Sequence, residues 1–137
     1  MRSPDYLTAV GIGVADLTRS ADFYGRVLGM IQTQTFKLDH MDEIVMAHEG
    51  RAAVILMHYT DGSARCYADN PVKLVFYVTD PVGLTGRIRA EGLAIDREPA
   101  PVEGMGGAMI ALARDPDGYV IELIEAPGPA RATAVAA

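Results

Sequence analysis

The chain of 137 residues is 50% apolar and 22% charged, a balance that suits one folded domain and excludes a disordered chain. Twelve Lys and Arg stand against eighteen Asp and Glu, a net charge of −6 with no basic run, so nucleic acid is not an expected partner. The apolar run Ala52 to Met57 is far short of the ~20 residues that cross a bilayer, no leader-type segment opens the chain, and Cys66 as the single cysteine forbids an internal disulfide or thiolate cluster. These features read as a cytoplasmic, small-molecule protein with no membrane partner.

Leu7 to Val14 is the first strand-like run. Asp16-Leu17-Thr18 offers cap residues for a helix, and Leu17, Ala21, Tyr24 and Leu28 form one apolar stripe at helical period. Gly29 is placed to end that helix. Ile31 to Phe36, Glu43 to His48 and Ala52 to Tyr59 then read as strands, with Glu49-Gly50 as a turn. A polar linker follows, between Asp61-Gly62-Ser63 and Asp69-Asn70-Pro71.

The pattern then returns. Val72 to Val78 is strand-like, Asp80-Pro81 starts a second helix with Leu84 and Ile88 inside it, and Gly92 closes it. Ala94 to Arg97, Met109 to Ala113 and Tyr119 to Ile124 are three more strands, with Asp115-Pro116-Asp117-Gly118 as a hairpin turn. Val14-Ala15-Asp16 repeats as Val78-Thr79-Asp80 at an offset of 64, and Val54-Ile55 repeats as Val120-Ile121 at 66. The fold class is therefore α+β: one domain over residues 1–137, made of two βαβββ modules at about 6–62 and 70–126, with 127–137 as a flexible tail.

The run from Val14 through Tyr24, followed by Val27-Leu28-Gly29-Met30, resembles the strand-to-helix signature of the vicinal oxygen chelate superfamily. Asp115-Pro116-Asp117-Gly118-Tyr119-Val120-Ile121-Glu122-Leu123-Ile124-Glu125 is similar to its last hairpin, in the form found in bacterial glyoxalase I. That superfamily also holds extradiol dioxygenases, fosfomycin- and bleomycin-resistance proteins and methylmalonyl-CoA epimerase. The resemblance implies paired modules forming a glyoxalase/bleomycin resistance/dioxygenase-type cup, and a homodimer. In metal-dependent members four ligands line that cup, and these positions fall at Ala9, Leu56, Lys73 and Glu122. Only Glu122 is a ligand type, so no metal and no other cofactor is expected. Gly13 and Glu103 stand where bacterial glyoxalase I carries basic residues for glutathione, which weakens the expectation of that substrate.

With the ligand positions taken as inward, alternation turns Ala9, Gly11 and Gly13 into the cup, together with Val54, Leu56 and His58. It likewise turns in Lys73, Val75 and Tyr77, and Val120, Glu122 and Ile124. The candidate catalytic residues are Glu122, Lys73, His58 and Tyr77. In this reading the Lys73 ammonium takes the place of the lost metal beside Glu122, and Glu122 or His58 moves a proton. A salt bridge that only avoids a buried lone charge is the alternative for Lys73 and Glu122. His40 and His48 read as surface or core histidines. Met41, Met46, Met57, Met105 and Met109 suit either a soft pocket or core filling, and Gly104 to Gly107 suits a flap or a plain hairpin loop. Three functions stay open: metal-independent proton-transfer, isomerase or lyase chemistry, non-catalytic sequestering of a small molecule, and metal-dependent chemistry with shifted ligands through His58 and Glu122.

Overall fold

Asp16 and Asp80 begin the two helices by the same device: each is extended and accepts a hydrogen bond from the backbone N–H three residues on, Arg19 and Gly83 respectively. A computed structural model describes residues 5–127. The tail expected over 127–137 lies, beyond Pro127, outside the described residues. The chain divides into two compact units between Ala68 and Asp69.

In the first unit β1 (Ala9–Gly13), β2 (Ile31–Lys37), β3 (Met41–Ala47) and β4 (Ala53–Tyr59) form a sheet in the order β1-β4-β3-β2. β1 runs parallel to β4; the other pairs are antiparallel. The expected single helix is α1 (Leu17–Asp22) continued by a π-helical turn, Phe23–Val27. The Leu28 N–H reaches back to the Phe23 carbonyl, and Gly29 leaves at φ +76°. This wider turn buries Phe23 and Val27 beside Tyr24 and Leu28, a broader face than the sequence stripe.

The second unit repeats the plan. β5 (Lys73–Val78), β6 (Ile95–Val102), β7 (Ala108–Arg114) and β8 (Val120–Glu125) are ordered β5-β8-β7-β6, and α2 (Pro81–Ala90) follows β5. β6 runs on past Arg97, where the sequence reading ended it. Pro99 and Pro101 are tolerated because β6 is an edge strand with two register irregularities. The Asp115 carboxylate, 1% exposed, accepts from the N–H groups of Asp117 and Tyr119 and shapes the β7–β8 turn. Gly104 to Gly107 forms a tight turn in which the Gly107 N–H returns to the Val102 carbonyl. The expected linker is only partly one: Tyr67 accepts from the Tyr59 N–H, and the Arg65 guanidinium lies 3.8 Å from the Tyr59 ring, so the chain up to Ala68 stays with the first unit.

Candidate site on the C-terminal sheet

Lys73, Val75 and Tyr77 alternate with Leu74, Phe76 and Val78 along β5, and the parallel register sets Lys73 beside Val120, Val75 beside Glu122 and Tyr77 beside Ile124. Ile121 and Leu123, on the other face, are fully buried, as are Ala111 and Ala113 of β7; this is the side that α2 covers with Leu84 and Ile88. The face turned away from α2 is closed at one end by Ala108, Ile110 and Ile124 with Val102 against them. At the β5 edge it is open, with Val75 54% and Tyr77 62% exposed.

The Lys73 Nζ donates to the Glu122 Oε1 at 2.8 Å. The Glu122 side chain is 16% exposed and that of Lys73 54%, so the carboxylate is withdrawn from water while its cation still meets it. A pair exposed on one side adds at most about 1 kcal/mol to stability. Its chemical weight is larger: one carboxylate and one ammonium sit together on a largely apolar face, an arrangement suited to a small-molecule site. Tyr77 stands one row beyond Glu122 on the same face.

The N-terminal sheet departs from the expected inward set. β1 and β4 pair Gly11 with Ile55 and Gly13 with Met57, so Ala9, Gly11 and Gly13 share a face with Ala53, Ile55 and Met57. A Cβ on Gly11 would come 2.9 Å from the Met57 Sδ, which puts the two on one side. Val54 and Leu56 point the other way, into the core with Ile12; Leu56 is fully buried. His58 belongs to that same core-side face. Its Nδ1 meets the Val14 carbonyl at 2.9 Å and its ring stacks on Tyr67 at 5.4 Å. The expectation that Leu56 and His58 share a wall with Gly11 and Gly13 is thus corrected. The reason is one residue: the Val-Ile repeat aligns Leu56 with Glu122, whereas the strand register gives Ile55 that position, and a slip of one exchanges the faces.

The remaining candidates fall in ordinary places. The His48 Nε2 meets the Leu28 carbonyl at 3.0 Å, and His40 lies 6.4 Å from the Tyr59 ring. Met41 and Met46 are buried, Met57 and Met109 half-buried, Met105 exposed. Cys66 is exposed, with its Sγ on the Ala68 carbonyl.

The four positions that the family resemblance marks for a metal do not fit one. Ala9 and Leu56 carry no donor, Leu56 lies in the core, and Lys73 brings a positive charge. Among the described residues no three His, Cys, Asp or Glu converge as a metal-binding group. One feature that sequence reasoning missed adjoins the pair: a cavity of about 340 Å³ bounded by Asp69, Asn70, Lys73, Arg114 and Val120 among others. The only signals for it were the Asp-Asn-Pro ahead of β5 and the arginine ahead of the hairpin turn.

Two repeated units with β1 and β5 each parallel to a last strand define a protein class, and residues 6–123 match the Glyoxalase/Bleomycin resistance protein/Dioxygenase superfamily. The chain belongs to that superfamily. Within it the protein is glyoxalase-like: it is 34% identical over 117 residues to the probable lactoylglutathione lyase of Vibrio cholerae, covering 82% of this chain and 84% of that one. A glyoxalase I variant from Zea mays is similar in structure, with a TM-score of 0.75 and 27% identity over 90% of this chain; the chain spans 46% of that larger protein. The antibiotic binding protein TnmS3 from Streptomyces sp. CB03234 shares the fold, with a TM-score of 0.71 and 19% identity over 93% of this chain and 100% of that one.

Proposed function

We propose that the face of the C-terminal sheet bearing Lys73 and Glu122 is a metal-independent proton-transfer site for a small carbonyl compound, giving isomerase- or lyase-type chemistry. The observation that carries this reading is the 2.8 Å contact between a withdrawn carboxylate and a solvent-facing ammonium. Glu122 takes a proton from a carbon next to the carbonyl. The electron pair of that C–H bond moves into the carbonyl, and the Lys73 ammonium stabilises the resulting enolate oxygen. Tyr77, on the same face, donates a hydrogen bond to the bound molecule. Relatives named lactoylglutathione lyase support the lyase class. His58 keeps no part in this reading. We place the working protein in the cytoplasm as a homodimer, as the family resemblance implies; light scattering checks the dimer, and a monomer mass overturns it.

Exchange of the C3 protons of 2-oxobutanoate in D2O, followed by proton NMR, tests the chemistry. Positioned acid–base groups contribute about 10²–10⁴-fold, so Glu122→Gln and Lys73→Met should each slow the catalysed exchange on that scale. Exchange unchanged in both variants overturns the reading.

A second reading, non-catalytic holding of a small apolar molecule, draws on the exposed Val75 and Tyr77. Tight ligand capture with no exchange in the wild-type protein would favour it.

A further inference from the structure

We infer that the cavity beside the Lys73–Glu122 pair is the seat of a carboxylate, so that the protein acts on small organic acids rather than on neutral carbonyl compounds; this rests on the proton-transfer reading of the pair. Three strands carry the argument. Lys73 on β5 and Arg114 on β7 are both in register with Val120 on β8, and both line the cavity of about 340 Å³. Neighbouring strands are about 4.8 Å apart, so the two cations rise from backbones about 10 Å apart with only an apolar side chain between them. Lys73 and Arg114 thus bound the cavity from two sides of Val120.

Both cations keep donors for a guest. Lys73 has three N–H groups and spends one on Glu122. Arg114 gives its Nε and Nη2 to the Asp96 carboxylate and one Nη1 proton to the Gly118 carbonyl, which fixes the guanidinium in place and leaves two N–H groups. The Arg114 side chain remains 39% exposed. The next row of the sheet is Val75, Glu122 and Leu112, about 7 Å further along the strands, and the Glu122 carboxylate leans back to Lys73. A carboxylate held between Lys73 and Arg114 therefore presents its adjoining carbons to Glu122. Lys73 serves both ends, which suits a 2-oxo acid: its carboxylate bridges the cations and its ketone oxygen takes the enolate charge. Asp69 lines the same cavity and opposes an anion there, which gives the site a built-in test of sign.

Calorimetric titration with 2-oxobutanoate and with its neutral analogue 2-oxobutanamide decides the matter. Loss of one charge-assisted contact should weaken binding about tenfold, so Arg114→Gln raises the dissociation constant of the acid by that factor and that of the amide, which keeps only a neutral acceptor, by less. Asp69→Asn should tighten the acid several-fold. Asp69 adopts φ +58°, a conformation asparagine takes readily, so this variant keeps the fold even if Arg114→Gln does not. Amide bound as tightly as acid, no binding of either probe, or no response of the acid to either substitution overturns the inference. The two ideas separate cleanly. Exchange lost in Glu122→Gln with acid binding indifferent to Arg114 and Asp69 removes only the carboxylate seat. Exchange indifferent to Glu122 with acid binding still following those charges removes the proton-transfer reading.

Discussion

The Asn70 side-chain amide donates to the Tyr119 hydroxyl at 3.2 Å, tying the residue three before Lys73 to the residue three before Glu122. The Tyr119 ring is buried at 2% exposure, and its N–H and carbonyl both bond to Asp115. This tie sits at the end of β5 and β8, where it holds the register on which the Lys73–Glu122 contact depends. Removing the hydroxyl in Tyr119→Phe should lower stability by about 1 kcal/mol. Urea unfolding measures this, and an unchanged midpoint would show that the tie contributes nothing.

Thr85 offers a prediction of opposite sign. Its hydroxyl is buried inside the α2 layer with no hydrogen-bond partner among the described residues. A buried hydroxyl that makes no bond carries a desolvation cost, and valine has nearly the same shape. Thr85→Val should raise stability by about 1 kcal/mol, read as a shift of the thermal midpoint. A lower midpoint would mean the hydroxyl is satisfied in solution.

The Arg26 guanidinium grips Asp22 one helical turn away and holds its carboxyl below the usual carboxylate range, chiefly through their side-chain hydrogen bonds. A carboxylate with a depressed folded pKa stabilises the fold above its unfolded value and loses that contribution as pH falls through the folded one. The stability difference between wild type and Arg26→Ala should therefore be present at neutral pH and fade below about pH 4. Carbon-detected NMR of Asp22 should show its titration moving up in Arg26→Ala; an unmoved curve contradicts the pairing.

Metal content is the third kind of check. With one carboxylate and one ammonium at the family's ligand positions, protein purified without chelators should carry well under one equivalent of nickel or zinc. Elemental analysis showing one bound metal per chain would point to a donor set other than this one.

The sequence was informative where local chemistry decides structure. Asp16 and Asp80 as caps, Gly29 and Gly92 as helix ends, and the Asp115 turn all appear where their side chains or positive φ require. It was uninformative where tertiary context decides. Pro99 and Pro101 break a central strand but not an edge one, and nothing local says that β6 is an edge. Tyr67 looks like a linker residue until it caps the end of β4. The pairing of Lys73 with Glu122 was legible because alternation and register agree in β5 and β8. Leu56 and His58 were misplaced because register depends on partners outside the strand, and a motif repeat does not count them.

The one-residue offset of β4 sets terms for anyone engineering a metalloenzyme from this scaffold. Writing the missing carboxylate at Leu56, as motif alignment suggests, would bury a charge in a fully enclosed site at a cost of several kcal/mol. The same carboxylate at Ile55 would stand half-exposed on the glycine-lined face. On this strand the letter that motif alignment picks and the position that faces the glycines differ by one residue.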